Sequence, residues 1–214
     1  MTTPITIDFV SDVSCPWCVI GLKALEQALA NMTEEVDADI RFQPFELNPK
    51  MPPEGQDLDE HLLQKYGATP EQFAGTRQAI RERGEELGFT FHMDRRDRIY
   101  NTFDAHRLLH WAEAQGRQLE LKHALFRAYF TEGLNPGARD VLLQAAEDVG
   151  LDTAEAAAIL ESDACAEDVR ERQRYYHSLG IDSVPAVIVN EKYLIQGGQP
   201  ASVFEQALRE IASK

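Results

Sequence analysis

The stretch Asp8-Phe9-Val10-Ser11-Asp12-Val13-Ser14-Cys15-Pro16-Trp17-Cys18-Val19-Ile20-Gly21 decides how this chain folds. Residues 5–10 (ITIDFV) alternate and are rich in β-branched and aromatic side chains, the pattern of a strand. Pro16 is well placed to open a helix, where a missing N–H costs nothing. Leu22, Leu25, Ala28 and Leu29 then repeat at helical spacing, which predicts an end near Asn31. The two cysteines therefore stand where a strand ends and a helix begins. Backbone N–H groups and the helix dipole stabilise an anion at such a terminus. Cys15, nearest the positive end, is the expected nucleophile in its thiolate form. Cys18, one turn on, is placed to attack a mixed disulfide on Cys15 and release the partner.

Further along the chain, residues 39–47 (DIRFQPFEL) alternate again and predict a second strand. Pro44 inside it argues for an edge position or a bulge. A loop rich in Asn, Pro and Gly follows at residues 48–55. The chain then shows no convincing strand for more than a hundred residues, apart from a short β-like stretch at Phe89-Thr90-Phe91. Helices are predicted over 58–66, 70–87, 102–114, 119–131, 138–149, 153–161 and 166–179, with glycines such as Gly67 and Gly180 at their ends. Strand character returns at residues 186–189 (AVIV) and 193–195 (YLI), with Asn190-Glu191-Lys192 as a hairpin turn. Gly197-Gly198-Gln199-Pro200 opens a last helix with Val203, Phe204, Ala207, Leu208 and Ile211 apolar. With no repeat and no low-complexity linker, the helical block is expected to pack on the sheet.

Composition bounds the function. The 214 residues suit one large domain or one domain with an insertion. Apolar residues at 43% and charged residues at 27% exclude a wholly disordered or collagen-like chain. No apolar run approaches the roughly 20 residues that span a bilayer, so no membrane association is expected. Residues 1–8 carry no Lys or Arg and Asp8 interrupts the apolar run, unlike a secretory signal, so the expected location is cytoplasmic. The formal charge of −15 repels phosphate backbones, which argues against nucleic acid as a partner. Three cysteines cannot build a disulfide framework, and in a reducing compartment a lone C-x-x-C is catalytic or metal-binding more often than structural. Half a zinc site would need two further ligands, and no second C-x-x-C supplies them. His106 and His110 stand four apart on one helix, but a helix facing the cleft explains them equally well, and no metal is expected.

Downstream, Ser183-Val184-Pro185-Ala186 directly precedes a strand. Proline is tolerated at a strand's first position, notably in a tight turn with a cis bond. Alone it reads as an ordinary strand-starting proline; together with C-x-x-C after the first strand of a β-α-β unit, a cis-proline is the better reading.

These residues resemble thioredoxin-fold disulfide oxidoreductases of the DsbA type, and within them a cytoplasmic FrnE-like branch. The matching stretches are DFVSDVSCPWCVIG, PFELNPKMPPEG, NTFDAHRLLHWA and SVPAVIVNEKYLIQGGQP, which run from Asp8 to Pro200. The resemblance implies an α/β thioredoxin fold, residues 1–49 and 166–214, carrying a long all-helical insertion, residues 50–165. It implies Cys15 as nucleophile, Cys18 as resolving thiol and Pro185 as the cis-proline facing them. Val184 would present its backbone to an extended substrate, with Pro16 and Trp17 as further substrate contacts and Asn101 and His106 near the cleft. Asp8 is a candidate to take the proton from Cys18; a solvated strand-edge aspartate is the equal alternative. Cys165 reads as a small helix residue.

Periplasmic DsbA-type enzymes usually carry His where this chain has Trp17. The related kappa-class glutathione transferases and hydroxychromene-carboxylate isomerases typically have Ser at the nucleophile and lack the resolving thiol; both cysteines are present here. The expected activity is thiol–disulfide exchange on protein or small-molecule disulfides, with no prosthetic group and with glutathione as a candidate co-substrate. The alternative is a glutathione-dependent transferase or isomerase on the same fold. Pro16-Trp17 supplies no cation beside Cys15, so the expected potential lies between those of thioredoxin, about −270 mV, and DsbA, about −120 mV.

Overall fold

The computed structural model describes residues 2–67 and 69–214; Met1 and Ala68 lie outside the described residues. The chain begins as a β-α-β unit of β1 (Thr3–Ser11), α1 (Pro16–Asn31) and β2 (Val36–Pro44). A largely helical stretch follows: β3 (Gln56–Asp57), α2 (Leu58–Tyr66), α3 (Pro70–Glu86), β4 (Arg98–Ile99), α4 (Phe103–Ala114), α5 (Gln118–Phe130), α6 (Arg139–Asp148) and α7 (Thr153–Leu160). The chain then returns through α8 (Ala166–Ser178) to β5 (Ala186–Val189), β6 (Tyr193–Gln196) and α9 (Ala201–Ala212). The main sheet has the order β2-β1-β5-β6. β1 and β2 are parallel, while β5 runs antiparallel to β1 and to β6. Among the described residues no helix is long and apolar enough to cross a membrane.

Alternation in β1 divides its side chains between two cores. Ile5, Ile7 and Phe9 pack with Leu22, Leu25 and Ala28 of α1 and with Phe204, Leu208 and Ile211 of α9. Val10 points the other way, to Tyr176 of α8 and Ile181, with Ala186 and Ile188 of β5. Buried on both faces, β5 is an unbroken apolar run. A fully buried side chain such as Leu22 contributes roughly 1.5–3 kcal/mol.

Helix α5 belongs to both halves of the molecule. Leu121, Ala124 and Leu125 pack with residues of α4, α6 and α7, while Phe126, Tyr129 and Phe130 join the core of the sheet. The helical block is therefore packed on the sheet.

The structure departs from the sequence reading at three places. β2 spans 36–44 rather than 39–47. It is an edge strand, and Pro44, which has no N–H, is its last residue; Phe45 N still donates to Ser11 O at 3.2 Å before the chain turns away. β3 and β4 form a small antiparallel ladder inside the block expected to be all helical. Phe89-Thr90-Phe91 is not a strand. Its alternation reflects packing: Phe91 is buried against Phe130, ring centroids 5.3 Å apart, and lies close over Gly84. The hairpin turn is as expected, with Asn190 and Glu191 at φ 52° and 55°, the geometry of a type I′ turn.

Candidate active site

Strand β1 ends in a buried turn that delivers Cys15 to the mouth of α1. Cys15 N donates to Asp12 O at 3.2 Å, and Ser14 N donates to Asp12 Oδ1 at 3.3 Å. Cys15 is the N-cap residue, in extended conformation, and Pro16 follows in the first helical turn. Its thiol lies at the helix terminus, where the dipole and free N–H groups favour negative charge. Cys18 is completely buried. Burial, and then the adjacent Cys15, push the Cys18 thiol well above its ordinary value.

Antiparallel pairing sets Ala186 of β5 opposite Val10 of β1, which brings Val184 and Pro185 beside the motif. The Val184–Pro185 peptide is cis. The Cys15 thiol points at Val184 O, 3.7 Å away. Two glycines make room for this approach. A Cβ on Gly21 would lie 3.1 Å from Pro185 Cγ, and one on Gly198 would lie 3.0 Å from Trp17 O. Gly21→Ala is expected to lose about 1 kcal/mol of stability by overpacking. It should also slow disulfide exchange several-fold, because the proline is pushed off Cys15. Urea denaturation and an exchange assay on the same preparation check both.

A cavity of about 760 Å³ opens beside Cys15. Cys15, Pro16, Trp17 and Val184 line it together with Tyr66, Phe73 and Ile80 from α2 and α3. Lys65, Arg77 and Arg96 also line it, beside the acids Glu46 and Asp182, and Arg77 is paired with Asp59. Arg96 lies over the rings of Tyr129 and Phe130 at 5.0 and 5.3 Å, its Nε buried without a hydrogen-bond partner among the described residues.

Behind the motif lies buried charge. Asp12 is fully buried, and its Oδ2 accepts from Leu47 N at 2.7 Å. His106 Nε2 stands 3.5 Å from Oδ1. Burial acts to raise the Asp12 pKa, but His106, the Leu47 N–H and Thr102 outweigh it and hold the carboxyl below its ordinary value. Lys122 of α5 is also fully buried, with Nζ 5.0 Å from the Phe126 ring and 5.6 Å from the Phe42 ring. Burial pulls it down to about 8, against the opposing charges of Cys18, Asp12 and Cys15. The reading of Pro16-Trp17 found no cation at the motif; the structure buries one in the same core, from a helix distant in sequence, and its charge acts on Cys18. A signal was present in the sequence. Gln118, Lys122, Leu125, Phe126 and Tyr129 share one helical face, and all are buried.

Of the residues expected at the site, Cys15, Pro16, Trp17 and Val184 line the cavity. Cys18 lies behind Cys15 in the core, and Pro185 packs against α1 at Gly21. Three others lie elsewhere. Asp8 points to the opposite face of the sheet from the thiols, because Ile7 and Phe9 on either side of it face the thiol core. There Asp8 Oδ1 accepts from Gln43 Nε2 at 2.7 Å, in a polar cleft with Arg172 and Tyr176, and burial raises its pKa. Asn101 holds the loop after β2, donating to Met51 O at 3.1 Å, and accepts from Phe103 N at the start of α4. His106 is buried against Asp12, and neither it nor Asn101 lines the cavity. His110 lies in the polar cleft with Asp168, while His106 lies against Asp12. Cys165 caps α8 at φ 61°.

The profile of the DSBA-like thioredoxin domain matches residues 6–209. This chain belongs to that family. The DsbA-like assignment agrees with the sheet order, the cis-proline and the strand–helix placement of CPWC. The chain is similar to the probable DsbA oxidoreductase SCO1869 of Streptomyces coelicolor, at 31% identity and a TM-score of 0.89, covering 98% of this chain and 91% of that one. It is 28% identical to the uncharacterized protein YwbO of Bacillus subtilis (strain 168), over 97% of this chain and 98% of that protein. The cytosolic disulfide reductase DsbM of Pseudomonas aeruginosa, solved with GSH, shares this DsbA-like fold at 20% identity and a TM-score of 0.68, covering 98% of this chain and all of that one.

Proposed function

We propose that this DsbA-like chain is a thiol–disulfide oxidoreductase acting through Cys15 and Cys18 on protein or small-molecule disulfides. One observation carries the reading: Cys15 sits at the N-terminus of α1, facing a cavity and the Val184 carbonyl, with Cys18 buried behind it. The Cys15 thiolate attacks a substrate disulfide, forming a mixed disulfide and releasing one thiolate. The Cys18 thiolate then attacks Cys15 Sγ, closing the Cys15–Cys18 disulfide and releasing the second. The two electrons pass to the substrate, whose thiolates take up protons. Because its pKa is raised, Cys18 stays a thiol while Cys15 reacts, which keeps the order of the two steps.

Pro16, Trp17, Val184 and Pro185 serve as the substrate-contacting surface in this reading. The basic wall residues Lys65, Arg77 and Arg96 favour an anionic thiol, and glutathione is the first co-substrate to test. The proposed compartment is the cytoplasm, where a dithiol persists.

Cys18→Ser decides the matter. Incubated with glutathione disulfide or a peptide disulfide, this variant is expected to accumulate a stable mixed disulfide on Cys15, read as the added mass on intact protein. Normal turnover with nothing trapped would overturn the two-thiol mechanism. Tight glutathione binding without any disulfide turnover by the native chain would favour a transferase or isomerase instead.

A further inference from the structure

The resolving step needs a base, and the residue expected to supply it, Asp8, lies across the sheet from the thiols. Cys18 is enclosed in the core, so water is not at hand to take its proton. The buried basic side chains include His106, Arg107 and Lys122, of which Lys122 lies against rings of the thiol core. Lys122 is completely buried, and Nζ has no hydrogen-bond partner among the described residues. The head group lies against the rings of Phe42 and Phe126, which belong to the same core cluster as Cys15 and Cys18. An unpaired buried ammonium is costly, and such a group persists where it has a task or a transient partner.

We propose that Lys122 is the base that deprotonates Cys18. This rests on the two-thiol reading above and adds to it the group that moves the proton. In the mixed-disulfide state the neutral amine takes the proton from Cys18 Sγ. The resulting thiolate attacks Cys15 Sγ; the Cys15–Cys18 bond forms, and the bond from Cys15 to the substrate sulfur breaks. The substrate leaves as a thiolate and takes a proton from solvent, while the Lys122 ammonium returns its own proton to solvent. Between those events the ammonium offsets the charge of the buried thiolate.

Electrostatics agree with this placement. The charges of Lys122 and Cys18 act on each other, and the lysine is brought down to about 8, where a fraction is neutral near pH 7. The charges that act on Lys122 are those of Cys18 and Cys15 at the start of α1 and of Asp12 on the turn after β1, with His106 of α4 beside Asp12. Asp12 is ionised through the neutral range, and His106 is common to the native chain and the variant. A difference between their pH profiles therefore reports Lys122.

The test mixes the reduced full chain with 5,5′-dithiobis(2-nitrobenzoate) in a stopped-flow instrument. Attack by Cys15 releases one thionitrobenzoate, and attack by Cys18 releases the second. In the native chain the second phase should accelerate with pH and level off above about 8. In Lys122→Met the second phase should be about 100-fold slower at pH 7 and should keep rising with pH, while the first phase changes less than threefold. Methionine fills the apolar site, so the fold should be retained, which a thermal melt checks. Lys122→Arg, a cation that does not give up its proton, should remain slow in the second phase. A second phase with the same rate and pH profile in native chain and Lys122→Met overturns the proposal and leaves the two-thiol mechanism standing. Absence of both phases in the native chain overturns both.

Discussion

Cys15→Ser is expected to lower disulfide exchange by at least roughly 1,000-fold. The serine hydroxyl ionises far less readily than a thiol, and an attack by it would not yield a disulfide. Cys18 cannot substitute, because it is completely buried and its thiol is held well above its ordinary value. The fold should be untouched: the Cys15 thiol makes a long contact to Val184 O, which a hydroxyl can also make. The expected result is a variant with unchanged urea midpoint, within about 0.5 kcal/mol, and no measurable reduction of a peptide disulfide. Exchange at more than a few per cent of the native rate would remove Cys15 from the mechanism.

Asp12→Ala is expected to cost about 3 kcal/mol of stability. The carboxylate is fully buried and holds three parts of the site together: the Ser14 N–H before Cys15, the Leu47 N–H after β2, and His106 of α4. Removing it leaves Leu47 N–H without its acceptor and His106 without the carboxylate beside it. The pH dependence identifies the charge itself. The folded-state pKa of Asp12 lies below its unfolded value of about 3.9. Its contribution is therefore fully present above that unfolded value and is lost as pH falls through the lower folded one. Urea midpoints taken from pH 7 down into the acid range should show the gap between native chain and Asp12→Ala narrowing only below about pH 4. A gap below about 1 kcal/mol at pH 7 would show that the turn holds without the carboxylate.

Much of the fold was legible locally. Helical apolar spacing and terminal glycines placed α2 over Leu58–Tyr66 and put the other helices within a residue or so of their observed ends. The apolar run AVIV marked β5, and the strand–Cys–Pro junction marked the start of α1. Where local pattern was short or had two causes, it misled. The two-residue strands β3 and β4 have no room to show a period, and they exist because Gln56-Asp57 and Arg98-Ile99 meet across the segment that carries α2 and α3. The alternation of Phe89 and Phe91 came from packing on a helix.

The site divides along the same line. The sequence by itself pointed to Cys15 and Cys18 and to the order proposed for them, because helix-terminus electrostatics depend only on a strand, a turn and a proline within a few residues of Cys15. It also marked Val184-Pro185 as the facing loop. Tertiary structure alone decided which ionisable groups surround those thiols. Period-two alternation in β1 puts Asp8 on the face opposite Ile7 and Phe9, but only the packing of α1 and α9 decides that the thiols share the face of Ile7 and Phe9. Lys122 enters the core that holds the thiols because α5 crosses from the helical block into the core of the sheet, and Asp12 is held ionised by a histidine from α4. Charges in a buried site interact through space, at distances set by packing and in a dielectric set by burial, and neither quantity is written in the local order of residues.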